Sequence, residues 1–229
     1  PVVGRRAQIG FRGVNEAIPY VPVGQAECVK DHWPSYQGLS VVIWTTTPWT
    51  IPQNRAVAFG EGIEYGLYRL APTPDNADDP RGPGIIVADK LAETVRVASK
   101  AEYWERERSV SAEELGSFVL SHPFRGIENT DGEWDYPVPM YPGEHVTDDA
   151  GTGFVHTAPS HGDDDYILGQ KFGLPMTYNV EADGTYRADL PLFGGQAILT
   201  PEGKEGPANV SVIKALAGAG ALFAKGRFK

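Results

Sequence analysis

The chain of 229 residues has little cysteine and lacks any long apolar run. Its single cysteine, Cys28, excludes an internal disulfide and a cysteine-rich zinc site, which is typical of a reducing compartment, and we expect it to be structural. No stretch approaches the roughly eighteen apolar residues of a membrane span, and no cleavable apolar leader follows Pro1. These absences predict a soluble, cytoplasmic protein without a membrane partner.

Positive charge is also scarce, with 20 lysines and arginines against 30 aspartates and glutamates and a formal net charge of −10. Proteins that bind nucleic acid along its backbone use clustered lysine and arginine, so this balance argues against such a role. An acidic domain can still receive one strand end in a pocket of polar and aromatic groups. Any contact with RNA is therefore expected to be local and weak.

The hydrophobic patterns predict an α+β fold whose mainly antiparallel strands are closed or nearly closed into a barrel, with helices packed outside. A buried strand is expected over residues 39–46, and further strands over residues 55–59, 63–70 and 85–88, the first two of these as a meander. Pro137 and Pro139 should keep the strand around them at a sheet edge or a bulge. Helices are expected over residues 91–101 and 163–172, after Ser111, and after Asn209, which is interpreted as a helix cap.

A cluster of hydroxyl groups follows the first of these strands. The string WTTTPWTIPQN, residues 44–54, contains four threonines and an asparagine: Thr45, Thr46, Thr47, Thr50 and Asn54. Period-two alternation puts Thr45 and Thr47 on one face, and two prolines fix the turn. Hydrogen-bond donors and acceptors held rigidly at the end of a strand can orient a water molecule or a hydroxyl-rich ligand. Threonine is equally a good strand residue and asparagine a good turn residue, so both interpretations stay open.

The second informative string is GTGFVHTAPSHGDDDY, residues 151–166. A glycine-flanked turn around Thr152 enters a short strand, and the glycines permit close approach of a ligand to the backbone. His156 can shape a pocket or transfer a proton, and Asp165 can hold an ammonium group. Two structural explanations stay open. His156 is equally explained as a hydrogen-bonded core histidine, and Asp165 as part of an acidic first turn that complements the helix dipole.

Two sharper interpretations of this segment are disfavoured. Ser160, His161 and Asp163 contain the letters of a catalytic triad, but sequence neighbours rarely converge in space as a triad requires. His156, His161 and Asp165 have the side chains of a metal site, but their spacing matches no common zinc signature.

Together the two strings resemble the editing domain inserted in the isoleucyl-tRNA synthetases, a family of class I aminoacyl-tRNA synthetases. The threonine string is similar to the isoleucine form of a motif that differs in the valine and leucine enzymes, and His156 marks the isoleucine form of the second motif. The two occur in the expected order, about a hundred residues apart. The resemblance covers residues 38–229, including the strings LPLFGG and PEGKEG, and leaves residues 1–37 as a connecting ribbon of irregular strands.

The resemblance implies hydrolytic proofreading, in which valine is removed from the 3′ end of tRNA(Ile) and valyl-adenylate is a further substrate. This enzyme family is itself the standard example of the physical need, since a hydrophobic pocket separates isoleucine from valine only by a factor of about 10². By resemblance, Asp165 binds the α-ammonium group, and His156 lines the side-chain pocket and excludes isoleucine or assists catalysis. The threonines and Asn54 contact the adenosine or hold the attacking water, with Trp49 beside them.

The site assignment that follows has two parts. His156, Asn54 and Thr47 are assigned to catalysis. Substrate binding is assigned to seven residues: Thr45, Thr46, Trp49, Thr50, Gly151, Thr152 and Asp165. An aminoacyl ester is already reactive, so positioned water and a stabilised oxyanion suffice without a metal or an organic cofactor.

The chain has no string like the HIGH and KMSKS signatures that bind ATP in such synthetases. We therefore expect no ligase activity, with ATP and any zinc confined to other parts of a longer parent enzyme from which this chain, a monomer, is cut. Two alternatives remain: a module that binds a tRNA end without hydrolysis, and an unrelated metal-dependent hydrolase.

Overall fold

The computed structural model describes residues 5–12, 39–70 and 83–227. Within these ranges the strands are β1 (Arg5–Arg12), β2 (Leu39–Thr45), β3 (Ala56–Phe59), β4 (Tyr65–Arg69), β5 (Gly84–Ala88), β6 (Glu105–Val110), β7 (Val119–Ser121), β8 (Pro137–Pro142), β9 (Phe154–Thr157) and β10 (Leu222–Arg227). The helices are α1 (Ala92–Ser99), α2 (Ala112–Gly116), α3 (Asp163–Phe172) and α4 (Pro207–Gly218), with 3₁₀ turns at Pro48–Gln53 and Asp89–Leu91.

The strands form two mixed sheets. The first has the order β10-β1-β2-β5-β4-β6, and the second has the order β7-β8-β3-β9. Six of the eight strand pairs are antiparallel, whereas β2–β5 and β3–β8 are parallel. The α+β class is thus confirmed. The closed antiparallel barrel is not supported, because the hydrogen bonds of the described strands leave both sheets open.

The layering follows from the two-residue period of the strands. Val41 and Ile43 of the first sheet and Val57 and Phe59 of the second point into one shared core. On the outer face of the first sheet, Val42 packs in a separate cluster with Ala92 and Val95 of α1. On the outer face of the second sheet, Ala58 packs with Leu168 of α3. The two sheets therefore enclose the main core, and α1 and α3 cover their outer faces.

Two predictions about strand placement are wrong. The expected meander does not form, because β3 belongs to the second sheet and β4 to the first. The proline-containing strand β8 lies inside the second sheet, between β7 and β3. Pro137 and Pro139 pair with β7 alone, because the pairing of β8 with β3 begins at Met140. At both prolines β8 therefore has a paired neighbour on one side only, where a missing N–H is tolerated.

The helices agree with the sequence patterns except in one cap. Ser111 caps α2 as expected, with its hydroxyl accepting a hydrogen bond from Glu114 N at 3.1 Å. The cap of α4 is Gly206, so Asn209 lies inside the first turn of that helix, and its prediction as the cap is wrong. The side chain of Asn209 instead accepts a hydrogen bond from the backbone N of Trp49 at 2.9 Å.

Some predictions fall on parts of the chain outside the described residues. Cys28 lies there, as does most of the connecting ribbon over residues 1–37. The division of the chain at residue 38 stays a prediction, and β1 pairs with β2 and β10. Among the described helices, none has both the length and the apolar character needed to cross a bilayer.

Candidate functional site

The threonine string forms the end of β2 and the tight 3₁₀ turn Pro48–Gln53. Pro48 stands at the start of the turn, where a backbone N–H has no helical partner and its loss costs nothing. Thr45 Oγ1 accepts a hydrogen bond from Thr47 N at 3.0 Å and lies 3.3 Å from Thr47 Oγ1. Thr50 donates from both its backbone N and its hydroxyl to Thr47 O, at 2.9 and 2.8 Å. These local bonds hold the threonine hydroxyls in one fixed arrangement.

The two sequence motifs meet at Thr50 and His156. His156 lies near the end of β9, which pairs antiparallel with β3, and its Nε2 is 3.0 Å from Thr50 Oγ1. The Thr50 hydroxyl already donates its one hydrogen to Thr47 O, so it accepts here and Nε2 of His156 donates. Nδ1 of His156 is then unprotonated, and this buried atom has no hydrogen-bond partner among the described residues.

Burial controls the charge of His156. Its side chain is 7% exposed, and desolvation, together with the nearby His161, lowers its pKa from 6.5 to about 4. The imidazole is therefore neutral at physiological pH. A neutral ring held by Thr50 is suited to shape a wall and to accept a hydrogen bond at Nδ1, and it is a weak proton acceptor.

Asn54, at the C-terminal end of the 3₁₀ turn, is hydrogen-bonded to β9. Its fully buried Oδ1 accepts a hydrogen bond from Thr157 N at 3.2 Å. Around this bond, three buried polar atoms have no hydrogen-bond partner among the described residues: Asn54 Nδ2, Thr157 Oγ1 and Gln53 Nε2. Buried polar atoms are usually paired, because an unpaired one costs about 1–3 kcal/mol, so such a cluster asks for a functional explanation.

His161 packs against the threonine turn and does not form a triad. Its Nε2 hydrogen-bonds to Gln53 Oε1, and its ring meets that of Trp49 edge-on, with centroids 4.9 Å apart. Ser160 Oγ is buried and has no hydrogen-bond partner in the described part of the chain, so Ser160 and His161 are not a nucleophile and its base. No group of three or more potential metal ligands is found among residues 5–12, 39–70 and 83–227.

Asp165 stands in the first turn of α3, whose sequence begins Asp163-Asp164-Asp165. Its Oδ2 accepts a hydrogen bond from Ala158 N at 2.8 Å, two residues after His156. Burial raises the pKa of this carboxyl above its ordinary value, while the bond from Ala158 opposes the rise. Asp165 forms no salt bridge with any described residue, although the nearby His145 also lowers its pKa. Its neighbours Asp163 and Asp164 are exposed, whereas Asp165 is half-buried. A half-buried carboxylate without a salt bridge is suited to bind an ammonium group.

The glycine-flanked turn supports the start of β9. Gly153 has φ +82°, and a Cβ there would lie 2.5 Å from the Cβ of Ala88, so only glycine fits. Gly151 packs against the ring of Trp44, and Thr152 is buried with its carbonyl accepting a hydrogen bond from Ala88 N at 2.9 Å. These contacts are structural, and a role of Gly151 and Thr152 in substrate binding stays a prediction.

The structure brings together five of the predicted residues: Thr45, Thr47, Thr50, Asn54 and His156. Trp49 lies next to this group and contacts the ring of His161, and Asp165 is linked to it by the hydrogen bond from Ala158 N, just after β9. Thr46 is half-buried beside them. The sequence interpretation missed Gln53 and Thr157, which lie within or beside the motifs, because nothing in the letters shows which side chains are buried. It also missed Tyr186 and Asn209, which lie far from both motifs.

No family model matches the chain. The isoleucine–tRNA ligase of Ruegeria pomeroyi is 46% identical over 197 residues, which cover 84% of this chain and 20% of that protein. The corresponding enzyme of Agrobacterium fabrum is 42% identical over 216 residues, covering 88% of this chain and 22% of that protein. The enzyme of Brucella abortus is 45% identical over 207 residues, covering 84% and 21%. The chain thus spans about a fifth of the length of these relatives.

Among solved structures, the editing domain of the P. falciparum cytosolic leucyl-tRNA synthetase matches with a TM-score of 0.46 and 10% identity, covering 75% of this chain and 70% of that one. An overlap this loose carries no weight for the assignment, which rests on the sequence relatives. Identities above 40% along most of the chain confirm the predicted resemblance: the chain is homologous to one segment of the isoleucine–tRNA ligases.

Proposed function

We propose that this chain is the hydrolytic proofreading domain of an isoleucine–tRNA ligase, which removes valine from mischarged tRNA(Ile). The single observation that carries the proposal is the contact of Thr50 Oγ1 with His156 Nε2 at 3.0 Å. It joins two motifs 106 residues apart in the chain into one polar wall. A wall of fixed hydroxyls and a neutral imidazole supplies donors and acceptors for an ester and a water.

The reaction needs water to attack the carbonyl carbon of the aminoacyl ester. The bond from that carbon to the ribose oxygen breaks, releasing valine and a tRNA with a free 3′ hydroxyl. The ester is reactive on its own, so fixed positions for the water and the ester account for the acceleration. Thr47 and Asn54 are proposed to hold the water, with the neutral His156 beside them, and no covalent nucleophile is required.

Asp165 is proposed to bind the α-ammonium group of the amino acid. The carboxylate has a backbone donor at Ala158 and a favourable electrostatic interaction with His145, but no salt bridge to Asp165 is found among the described residues. A substrate ammonium would form a charge-assisted hydrogen bond with it and would lower its raised pKa. His156 is proposed to limit the space for the side chain, so that valine enters and isoleucine does not. Trp49 and the remaining threonines are proposed to contact the terminal adenosine.

The test is deacylation of valyl-tRNA(Ile) and isoleucyl-tRNA(Ile) by this chain at low salt. Wild type is expected to release valine and to spare isoleucine. Asp165→Ala and Asp165→Asn are both expected to lower valine release by about 10- to 100-fold, since a hydrogen bond to a charged group is worth about 1.5–3 kcal/mol. Asp164→Ala, which removes an equal charge from an exposed position in the same turn, is the matched control and should act as wild type.

The two Asp165 variants separate binding from structure. Asparagine keeps an oxygen for Ala158 N but has no charge, so full activity in Asp165→Asn would contradict the ammonium role. If wild type releases neither amino acid, the same segment is placed in a full-length isoleucine–tRNA ligase in place of its own. Failure to remove valine there as well would refute the proofreading function and favour a module that only binds tRNA.

A further inference from the structure

Within the 3₁₀ turn Pro48–Gln53, the backbone N–H and the carbonyl of Trp49 both lack the usual hydrogen-bond partner. The N–H of Trp49 lies in the first turn, where intrahelical acceptors are absent, and Thr47 at the cap position makes no side-chain capping bond. The carbonyl of Trp49 would ordinarily accept from the N–H three residues on, but that residue is Pro52, which has no N–H. The sequence of the turn thus leaves one donor and one acceptor to be satisfied from elsewhere.

Both groups are satisfied by residues near the other end of the chain. Asn209 Oδ1, in the first turn of α4, accepts from Trp49 N at 2.9 Å, across 160 residues of sequence. The hydroxyl of Tyr186 donates to Trp49 O, across 137 residues. Tyr186 is fully buried and packs in the main core, so its hydroxyl is fixed in place. Together the two side chains hold the peptide groups on both sides of the Trp49 Cα.

We propose that Asn209 and Tyr186 are positioning residues for the site, which fix the threonine turn by satisfying the backbone of Trp49. The inference rests on the proposed proofreading function. Trp49 stands between Thr47 and Thr50, and Thr50 in turn bonds to Thr47 O and to His156 Nε2. A shift of the Trp49 peptide therefore displaces the hydroxyls that face the ester. A misplacement of about 1 Å can lower a rate by as much as about 10²-fold.

Three variants test the proposal: Asn209→Ala, Asn209→Asp and Tyr186→Phe. Alanine removes the acceptor, whereas aspartate keeps it and is favourable in the first turn of a helix. Alanine is also the better helix former, so an Asn209 that only stabilised α4 would make Asn209→Ala neutral or stabilising. Phenylalanine keeps the buried ring of Tyr186 and removes only the hydroxyl. Lys214→Ala, on an exposed position of the same helix, is the matched control.

The first readout is amide hydrogen exchange of Trp49 N–H, which does not depend on activity. Loss of one hydrogen bond should speed this exchange by about fivefold or more in Asn209→Ala, since a net bond is worth about 1 kcal/mol. Asn209→Asp and Lys214→Ala should keep the wild-type rate. Unchanged exchange in Asn209→Ala, with the fold checked by circular dichroism, would overturn the proposal even if the chain deacylates no tRNA.

The second readout is the kinetics of valine release. Asn209→Ala and Tyr186→Phe should lower kcat by about tenfold or more, with little change in KM, because the positioned groups act on the reacting ester. Asn209→Asp should restore most of kcat. A wild-type kcat in Asn209→Ala despite faster exchange would refute the positioning role, and a wild-type chain without activity would count against the proofreading function alone.

Discussion

The two sheets share one core but differ in the polar side chains that they bury. In the first sheet, the interior strands β2 and β5 carry aliphatic side chains on both faces, such as Ile43, Val42 and Ile86. The arginines of β4 and β6 form ion pairs, Arg69 with Glu107, Arg106 with Asp89 at 2.7 Å and Arg108 with Glu114 at 2.6 Å. These charged groups of the first sheet are thus paired, even where one of them, Arg69, is buried.

The second sheet buries polar groups at the ends of β3 and β9 and leaves some of them unpaired. His156 and Thr157 are both buried, and His156 Nδ1 and Thr157 Oγ1 have no hydrogen-bond partner among the described residues. Each buried polar atom without a partner lowers the free energy of unfolding, and the described side chains of the first sheet include no such atom. The difference indicates that the interior of the first sheet serves as the scaffold and that the polar ends of β2 and β9 serve function.

The largest expected effect is a core truncation in the scaffold. Ile86 is 1% exposed, and Ile86→Ala should lower the free energy of unfolding by about 2–5 kcal/mol, through lost apolar burial and the cavity left behind. Val97→Ala, at a position 60% exposed on α1, is the control and should change it by no more than about 0.5 kcal/mol. Urea unfolding measures both. Equal effects of the two substitutions would refute the scaffold role of the first sheet.

The next effect is a dependence of stability on pH, to which His156 of β9 contributes, whereas no strand of the first sheet carries a histidine. Burial lowers the folded-state pKa of His156 to about 4, below its unfolded value of about 6.5. Between these values the unfolded chain binds more protons, so stability is full above pH 6.5 and falls toward pH 4, by about 1.4 kcal/mol per pH unit at most.

The contribution of His156 is isolated by substitution. Urea unfolding of wild type and of His156→Gln is compared at several pH values between about 7 and 4. The variant should lose part of the fall in stability, while His122, with a pKa lowered by burial to about 3, keeps contributing in both proteins. An identical pH dependence of the two proteins would mean that His156 is not held neutral by burial.

The smallest effect is a matched pair of threonine substitutions with opposite signs. Thr157 Oγ1 is buried without a partner among the described residues, so Thr157→Val should raise the free energy of unfolding by about 1 kcal/mol. Thr45 is also buried, but its hydroxyl accepts from Thr47 N at 3.0 Å, so Thr45→Val should lower it by about 1 kcal/mol. Destabilisation of similar size in both variants would contradict an unpaired Thr157 hydroxyl.

Much of the local structure was predictable from the sequence, because it depends on short-range patterns. The buried run of β2, the helix α3 over Asp163–Phe172 and the Ser111 cap of α2 all appear where those patterns indicate. The predicted barrel and meander are wrong because strand pairing depends on contacts between distant segments. Alternation says which face of a strand is buried but not which strand lies beside it.

The candidate site shows the same division. The sequence alone supplied the threonines, His156 and Asp165, and two prolines that stiffen the turn, because these are properties of neighbouring residues. Only the tertiary structure decided that His156 is neutral and bonded to Thr50, and that Asn209 binds Trp49 rather than capping its helix. Charge, burial and partner choice depend on the distant groups that folding brings within hydrogen-bonding distance, and no local pattern encodes those distances.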